Sequence, residues 1–112
     1  MAWQQVEHAA QTNGFEEYKQ LLQGLPVTIH TAGLGQTVAF YLAKGENKPD
    51  KPHTKVLDHL AAWLLRDRPE AERTRGNLMQ AIHDGNSHTY RRLTAEALAY
   101  LAWLKRFAAA HA

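Results

Sequence analysis

The chain has 112 residues, 45% of them hydrophobic, and no cysteine. That is enough for one helical core, and it excludes disulfides, thiolate zinc sites and a cysteine nucleophile together. The formal charge of +2 is too small to indicate a nucleic-acid ligand, but it is unevenly placed: residues 1–43 carry one Lys against three Glu, and residues 44–112 carry twelve Lys or Arg against eight Asp or Glu.

Residues 2–23 read as helix, with Val6, Ala9, Ala10, Phe15, Tyr18, Leu21 and Leu22 forming an apolar stripe disturbed at Asn13-Gly14. Gly24 reads as a stop, and Pro26 as the opening residue of a short second helix, because the first turn of a helix does not need its N–H. Gly33 to Gly35 interrupts that helix for packing or a sharp turn, and residues 36–43 resume it. The segment Gly45-Glu-Asn-Lys-Pro-Asp-Lys-Pro52 is a polar loop with two prolines.

Helix then follows over residues 54–66, with Val56, Leu57, Leu60, Ala61, Trp63 and Leu64 inward and Lys55, His59, Ala62 and Arg66 on another side. Asp67-Arg68-Pro69 ends it and opens the next helix, where Glu70 and Glu72 complement the positive terminus and Leu78, Met79 and Ile82 anchor the core side. Gly85 closes that helix, and Asn86 or Ser87 caps the last one.

The last helix is strongly two-sided. At about 100° per residue, Leu93, Ala97, Tyr100, Leu101, Leu104 and Phe107 fall in one apolar sector. Arg91, Arg92, Lys105 and Arg106 lie within an arc of roughly 140° across the axis, with Ala95, Ala99 and Ala102 between them. Alanine and basic residues also furnish an ordinary solvated helix face, so the pattern alone does not name a function. With no strand-like alternation and no repeat, the expected fold is all-α: a small helical bundle of about five or six helices in one domain spanning residues 1–112.

Catalytic and cofactor signatures are wanting. Gly33-Leu34-Gly35 lacks the further Gly and the Gly-Lys-Ser/Thr ending of a phosphate loop. The single Ser, Ser87, has no Gly-x-Ser-x-Gly elbow. No two of the seven His are three or four residues apart, so no helix presents a bidentate metal pair, and His8 and His111 read as terminal solvent residues. Glu16 and Glu17 are adjacent and diverge on a helix. Trp3, Trp63 and Trp103 fit core or interface packing better than base stacking. No cofactor, metal or catalytic residue is expected. The longest apolar runs fall well short of the roughly 20 residues of a membrane span, and the start lacks a basic segment followed by an apolar one, so no membrane partner and a cytoplasmic location are expected.

Two blocks carry a resemblance. The first is Leu25-Pro26, Ile29, Gly33-Leu34-Gly35-Gln36-Thr37, Phe40 and Lys44; the second is Tyr90-Arg91, Thr94, Glu96-Ala97-Leu98 and Trp103-Leu104-Lys105-Arg106-Phe107-Ala108. In order and spacing they resemble the small all-α subunit of the type III-B CRISPR (Cmr) RNA-guided effector complex, with departures at His30 and Ala32, where that family's pattern has Arg and Asn. The resemblance implies a non-catalytic subunit that stacks in several copies beside the guide-bearing backbone subunits. Its implied partners are the backbone subunit, the large subunit, further copies of itself, and the guide RNA and target RNA duplex. Lys55, Arg66, Arg91, Arg92, Lys105 and Arg106 are the candidate RNA-binding or subunit-interface residues. The alternative is a small helix-turn-helix-like DNA-binding protein, for which Tyr90-Arg91-Arg92 comes nearest to the start of a recognition helix.

Overall fold

The computed structural model describes residues 1–111. Six α-helices occur among them: α1 (Ala2–Ala10), α2 (Phe15–Ala32), α3 (Leu34–Gly45), α4 (Pro52–Leu64), α5 (Arg75–Asp84) and α6 (Ser87–Ala110), with a 3-10 turn at Glu70–Glu72 between α4 and α5. No strand is present among the described residues. The all-α expectation therefore holds, and the polar loop spans 46–51, one residue shorter at each end than its sequence reading.

The main correction lies in α2, which runs unbroken through Gly24 and Pro26. A mid-helix Gly costs ~1 kcal/mol and a mid-helix Pro ~3. Leu22, Leu25 and Ile29 are buried on one face of the same helix, each stabilising it by ~1.5–3 kcal/mol, and that burial outweighs the local penalty. The real stop is Gly33, whose φ of 89° is open to glycine and strained for an L side chain.

A second correction concerns Glu70 and Glu72. They sit in the 3-10 turn, and α5 starts only after Thr74, whose hydroxyl accepts the Asn77 N–H at 3.1 Å. The end of α4 is closed by a residue the sequence does not single out. The Arg73 guanidinium donates to the carbonyl oxygens of Arg68 (2.8 Å) and Arg66 (2.9 Å), where a cation meets unpaired carbonyls and the negative helix end.

One hydrophobic cluster gathers residues from all six helices, including Val6, Tyr18, Leu22, Leu34, Leu57, Leu60, Leu78 and Leu101. α6 supplies Leu93, Ala97, Tyr100, Leu101, Leu104 and Ala108. Phe107 is only partly buried and packs at the cluster's edge, as does Trp63.

The two sequence blocks that carry the family resemblance meet at the α2–α3 break. The Gly35 N–H, one of the unpaired amides that open α3, donates to the Tyr90 hydroxyl at 3.0 Å. A Cβ on Gly33 would come within 3.0 Å of that same oxygen, whereas one on Gly35 would meet only ordinary contacts. Of the pair, Gly33 is therefore the residue the geometry requires. Thr37 completes the turn by donating both its N–H (3.1 Å) and its hydroxyl (2.7 Å) to the Gly33 carbonyl.

Polar groups also cross the core. The Tyr18 phenol and Nδ1 of His59 share a hydrogen bond at 2.7 Å, the His59 carbonyl accepts from Gln5 at 3.3 Å, and the Tyr100 hydroxyl donates to Gln5 Oε1. Burial, with smaller contributions from His8 and Lys55, lowers the His59 imidazole to about 4, so it is neutral at pH 7.

Two outcomes follow for stability. Gly33→Ala is expected to cost about 1–2 kcal/mol through strain at its φ, and Tyr90→Phe about 1 kcal/mol by leaving the Gly35 N–H unpaired. Both are readable by urea denaturation, and Gly33→Ala matching the parent would show that the break is not held in this conformation. For pH, the unfolded chain protonates His59 near 6.5 and the folded chain only near 4. The unfolded state thus binds more protons between those values. This contribution to stability is complete above pH 6.5 and declines as the pH falls towards 4, by about 3 kcal/mol in all. Denaturation midpoints measured from pH 7.5 to 4.5 should fall accordingly, and the fall should flatten in His59→Gln.

Candidate nucleic-acid and subunit interface

The exposed side of α6 follows from its buried side. Asn86 fixes the start of the helix, its side-chain oxygen accepting the Thr89 N–H at 2.9 Å, and the core residues then set its rotation. Arg91, Arg92, Ala95, Ala99, Ala102, Lys105 and Arg106 are all exposed. From Arg92 to Lys105 the rise is ~20 Å, about six nucleotides at 3.4 Å per nucleotide.

The six cations singled out from sequence are not equivalent. Lys55 is engaged within the chain: its ammonium donates to the Thr12 hydroxyl (2.6 Å) and the Asn13 carbonyl (2.9 Å), bridging α4 to the α1–α2 corner. Arg66 and Arg92 converge on one carboxylate, with Arg66 Nη1 on Glu96 Oε1 at 3.0 Å and Arg92 Nη1 on Glu96 Oε2 at 2.9 Å. Partial burial raises the Glu96 carboxyl, and the two arginine hydrogen bonds more than offset this, holding it below the ordinary glutamate value. Arg66 also lies 4.1 Å over the Trp63 ring, which is itself stacked on Tyr100 at 4.9 Å with planes 4° apart. Arg91, Lys105 and Arg106 make no ion pair among the described residues.

A cleft of about 340 Å³ opens between α4, α5 and α6, lined by Arg68 and Arg92 but also by Asp67 and Asp84. The mixed charge makes it a poor pocket for a phosphate. No group of three His, Asp or Glu side chains stands close enough together to hold a metal among the described residues. Ser87 is the exposed first residue of α6. Among the described residues, no helix is long and apolar enough to cross a membrane.

The tryptophans are unequally placed. Trp63 is half-buried, but Trp3 and Trp103 are 39% and 49% exposed. His111 is not a free terminal residue: its ring lies 5.6 Å from Trp3 and 5.8 Å from Phe15. Tyr90, the first residue of the triplet nearest to a recognition-helix start, turns in on Gly35.

The Arg92–Glu96 pair was legible as an i,i+4 spacing, but Arg66 reaches Glu96 across 30 positions and no local signal marks it. Glu96→Gln is expected to cost under about 1 kcal/mol of stability, because the pairs are exposed, and to raise the salt needed to elute the chain from heparin. The rise should exceed that of Glu17→Gln, which removes the same charge from an exposed side chain that makes no ion pair among the described residues. Equal shifts would show that Arg66 and Arg92 are no freer without Glu96.

Comparison with known proteins places these features in a family. The family model described as "CRISPR-associated protein (Cas_Cmr5)" matches residues 1–111. A Thermus thermophilus protein named "CRISPR system Cmr subunit Cmr5" is 36% identical over 109 residues, covering 97% of this chain and 87% of the relative. The crystal structure of a CRISPR-associated Cmr5 family protein from the same organism superposes with a TM-score of 0.77 at 33% identity, covering 97% of this chain and 91% of that one.

Proposed function

Because this chain belongs to the CRISPR-associated Cmr5 family, we propose that it is a non-catalytic subunit of the type III-B Cmr RNA-guided effector in the cytoplasm. In this reading several copies stack beside the guide-bearing backbone subunits, next to the large subunit, and the exposed face of α6 lies along the target strand of the guide–target duplex. The observation that carries the reading is that face itself: cations ~20 Å apart along one rigid helix, separated by exposed alanines that let a strand backbone come close. A groove of this kind holds phosphates at intervals and reads no bases, because pairing with the guide supplies the sequence specificity.

The non-catalytic part rests on how the reactive side chains are used. His59, the imidazole with the strongly displaced pKa, is hydrogen-bonded to Tyr18 inside the core. Glu96 is occupied by two guanidiniums.

The geometry also ranks the cations. Arg91 and Lys105 are free to meet phosphate, Arg92 and Arg66 must first leave Glu96, and Lys55 has its donors engaged within the chain. In the assembled complex, Arg91→Ala and Lys105→Ala should each lower the slope of log affinity against log salt by about one, equally for all target sequences, and Lys55→Ala should leave it unchanged. A slope unaltered by Arg91→Ala and Lys105→Ala together would remove α6 from the strand surface.

A further inference from the structure

Two tryptophans at the α1–α6 end stand open to solvent. Trp3 on α1 packs edge-on against Phe107 at 5.5 Å, Trp103 lies 5.5 Å from the same phenylalanine, and the Arg106 guanidinium sits 4.9 Å over Trp103. Together they form an aromatic ridge with one cation on it. Trp and Arg are the residue types that dominate binding energy in protein interfaces, where they are buried at the centre of a contact.

The ridge's own packing narrows its occupant. Arg106 already holds the stacking position over Trp103, and Trp3 has Phe107 and His111 beside its ring, so the surface offers ring edges and apolar rims in place of an open platform for a nucleobase. A second copy fits poorly as well. The other exposed apolar residues away from this end are Val27 and Phe40, and Phe40 too carries a cation, Lys44 at 5.6 Å. Setting the ridge on the Phe40 patch, or on a second ridge, would oppose like charges. Arg106 has no carboxylate partner among the described residues, so the missing complement is an anion.

We propose that the Trp3–Trp103–Phe107 ridge is a docking surface for a different protein subunit, which packs an apolar side chain against Trp103 and brings a carboxylate to Arg106. This assignment rests on the subunit reading above and names a partner surface for the opposite flank of α6 from Lys105. Arg106 then belongs to protein recognition, and the strand surface is carried by Arg91, Arg92 and Lys105.

The test is co-expression of the affinity-tagged chain with the other Cmr subunits and guide RNA of its own system, measuring the fraction of chain that enters the complex. Trp103→Ser and Arg106→Glu are both exposed changes that should retain the helical dichroism of the parent. Each is expected to lower incorporation about tenfold or more, while Val27→Ser, also exposed and away from the ridge, is expected to leave it at the parent's level. Incorporation of both ridge variants at the parent's level would overturn the proposal. So would normal incorporation with a reduced salt slope for target RNA, which would make the ridge part of the strand surface. Self-association of the isolated parent that is lost in the ridge variants would assign the ridge to a second copy instead. Failure of the parent chain itself to enter the complex would remove the subunit reading, a result distinct from failure of the variants alone.

Discussion

The arrangement of this molecule depends on the left-handed break at Gly33 and the tyrosine that clasps it. α2 and α3 leave that residue in different directions, α2 to lie along α6 and α3 to lie along α4 and α5. A side chain at Gly33 would meet strain from its φ of 89° and crowding from the Tyr90 oxygen at once. Tyr90 in turn is the fourth residue of α6, so its hydroxyl on the Gly35 amide fixes where α6 begins relative to the hinge. A single hydrogen bond contributes only ~1 kcal/mol, but this one closes the amide left open at the start of α3 and ties it to the first turn of α6.

Once α6 is placed, its surface is determined. The residues facing the cluster occupy one sector, and whatever lies opposite must be exposed for the full 24 residues of the helix. Two kinds of exposed residue result. In the first half, Arg92 shares Glu96 with Arg66 from the turn after α4, an arrangement that keeps both guanidiniums ordered but available, since an exposed pair is worth little and a phosphate can displace it. Towards the C-terminal end, Trp103 is exposed and Arg106 is held on its ring instead of on a carboxylate. One helix thus presents two different chemistries about three turns apart.

How much of this was legible in sequence depended on the range of the interaction. The inward residues of α6 repeat at helical spacing, and their burial could be read directly, Phe107 excepted. The Asn86 cap and the Arg92–Glu96 pair are local and were equally readable. Gly24 and Pro26 misled because their local cost, ~1 and ~3 kcal/mol, is real but smaller than the burial of Leu22, Leu25 and Ile29 on the same helix. Arg73 closing α4, Arg66 reaching Glu96 and Tyr18 reaching His59 are contacts between positions that periodicity cannot relate. The family pattern did better than periodicity at one such contact: its two blocks contain Gly33 and Tyr90, which touch only in the folded chain.

The interior also bears on where the activity must lie. Among the described residues no buried side-chain nitrogen or oxygen lacks a hydrogen-bond partner, and the polar groups of the core, Gln5, Tyr18, His59 and Tyr100, pair with one another. A catalytic centre keeps a group with a displaced pKa within reach of a substrate and of a second group that needs its proton. Here the displaced imidazole has its partner already, and its displacement comes first from burial. That is the condition of a side chain that specifies packing: neutral, satisfied and expensive to charge. The core's polar groups are thereby engaged in joining α1, α2, α4 and α6, and the outside carries spaced cations, exposed alanines and one aromatic ridge. Such a surface is suited to binding and aligning a strand or a subunit, because its groups attract and orient without having to exchange a proton.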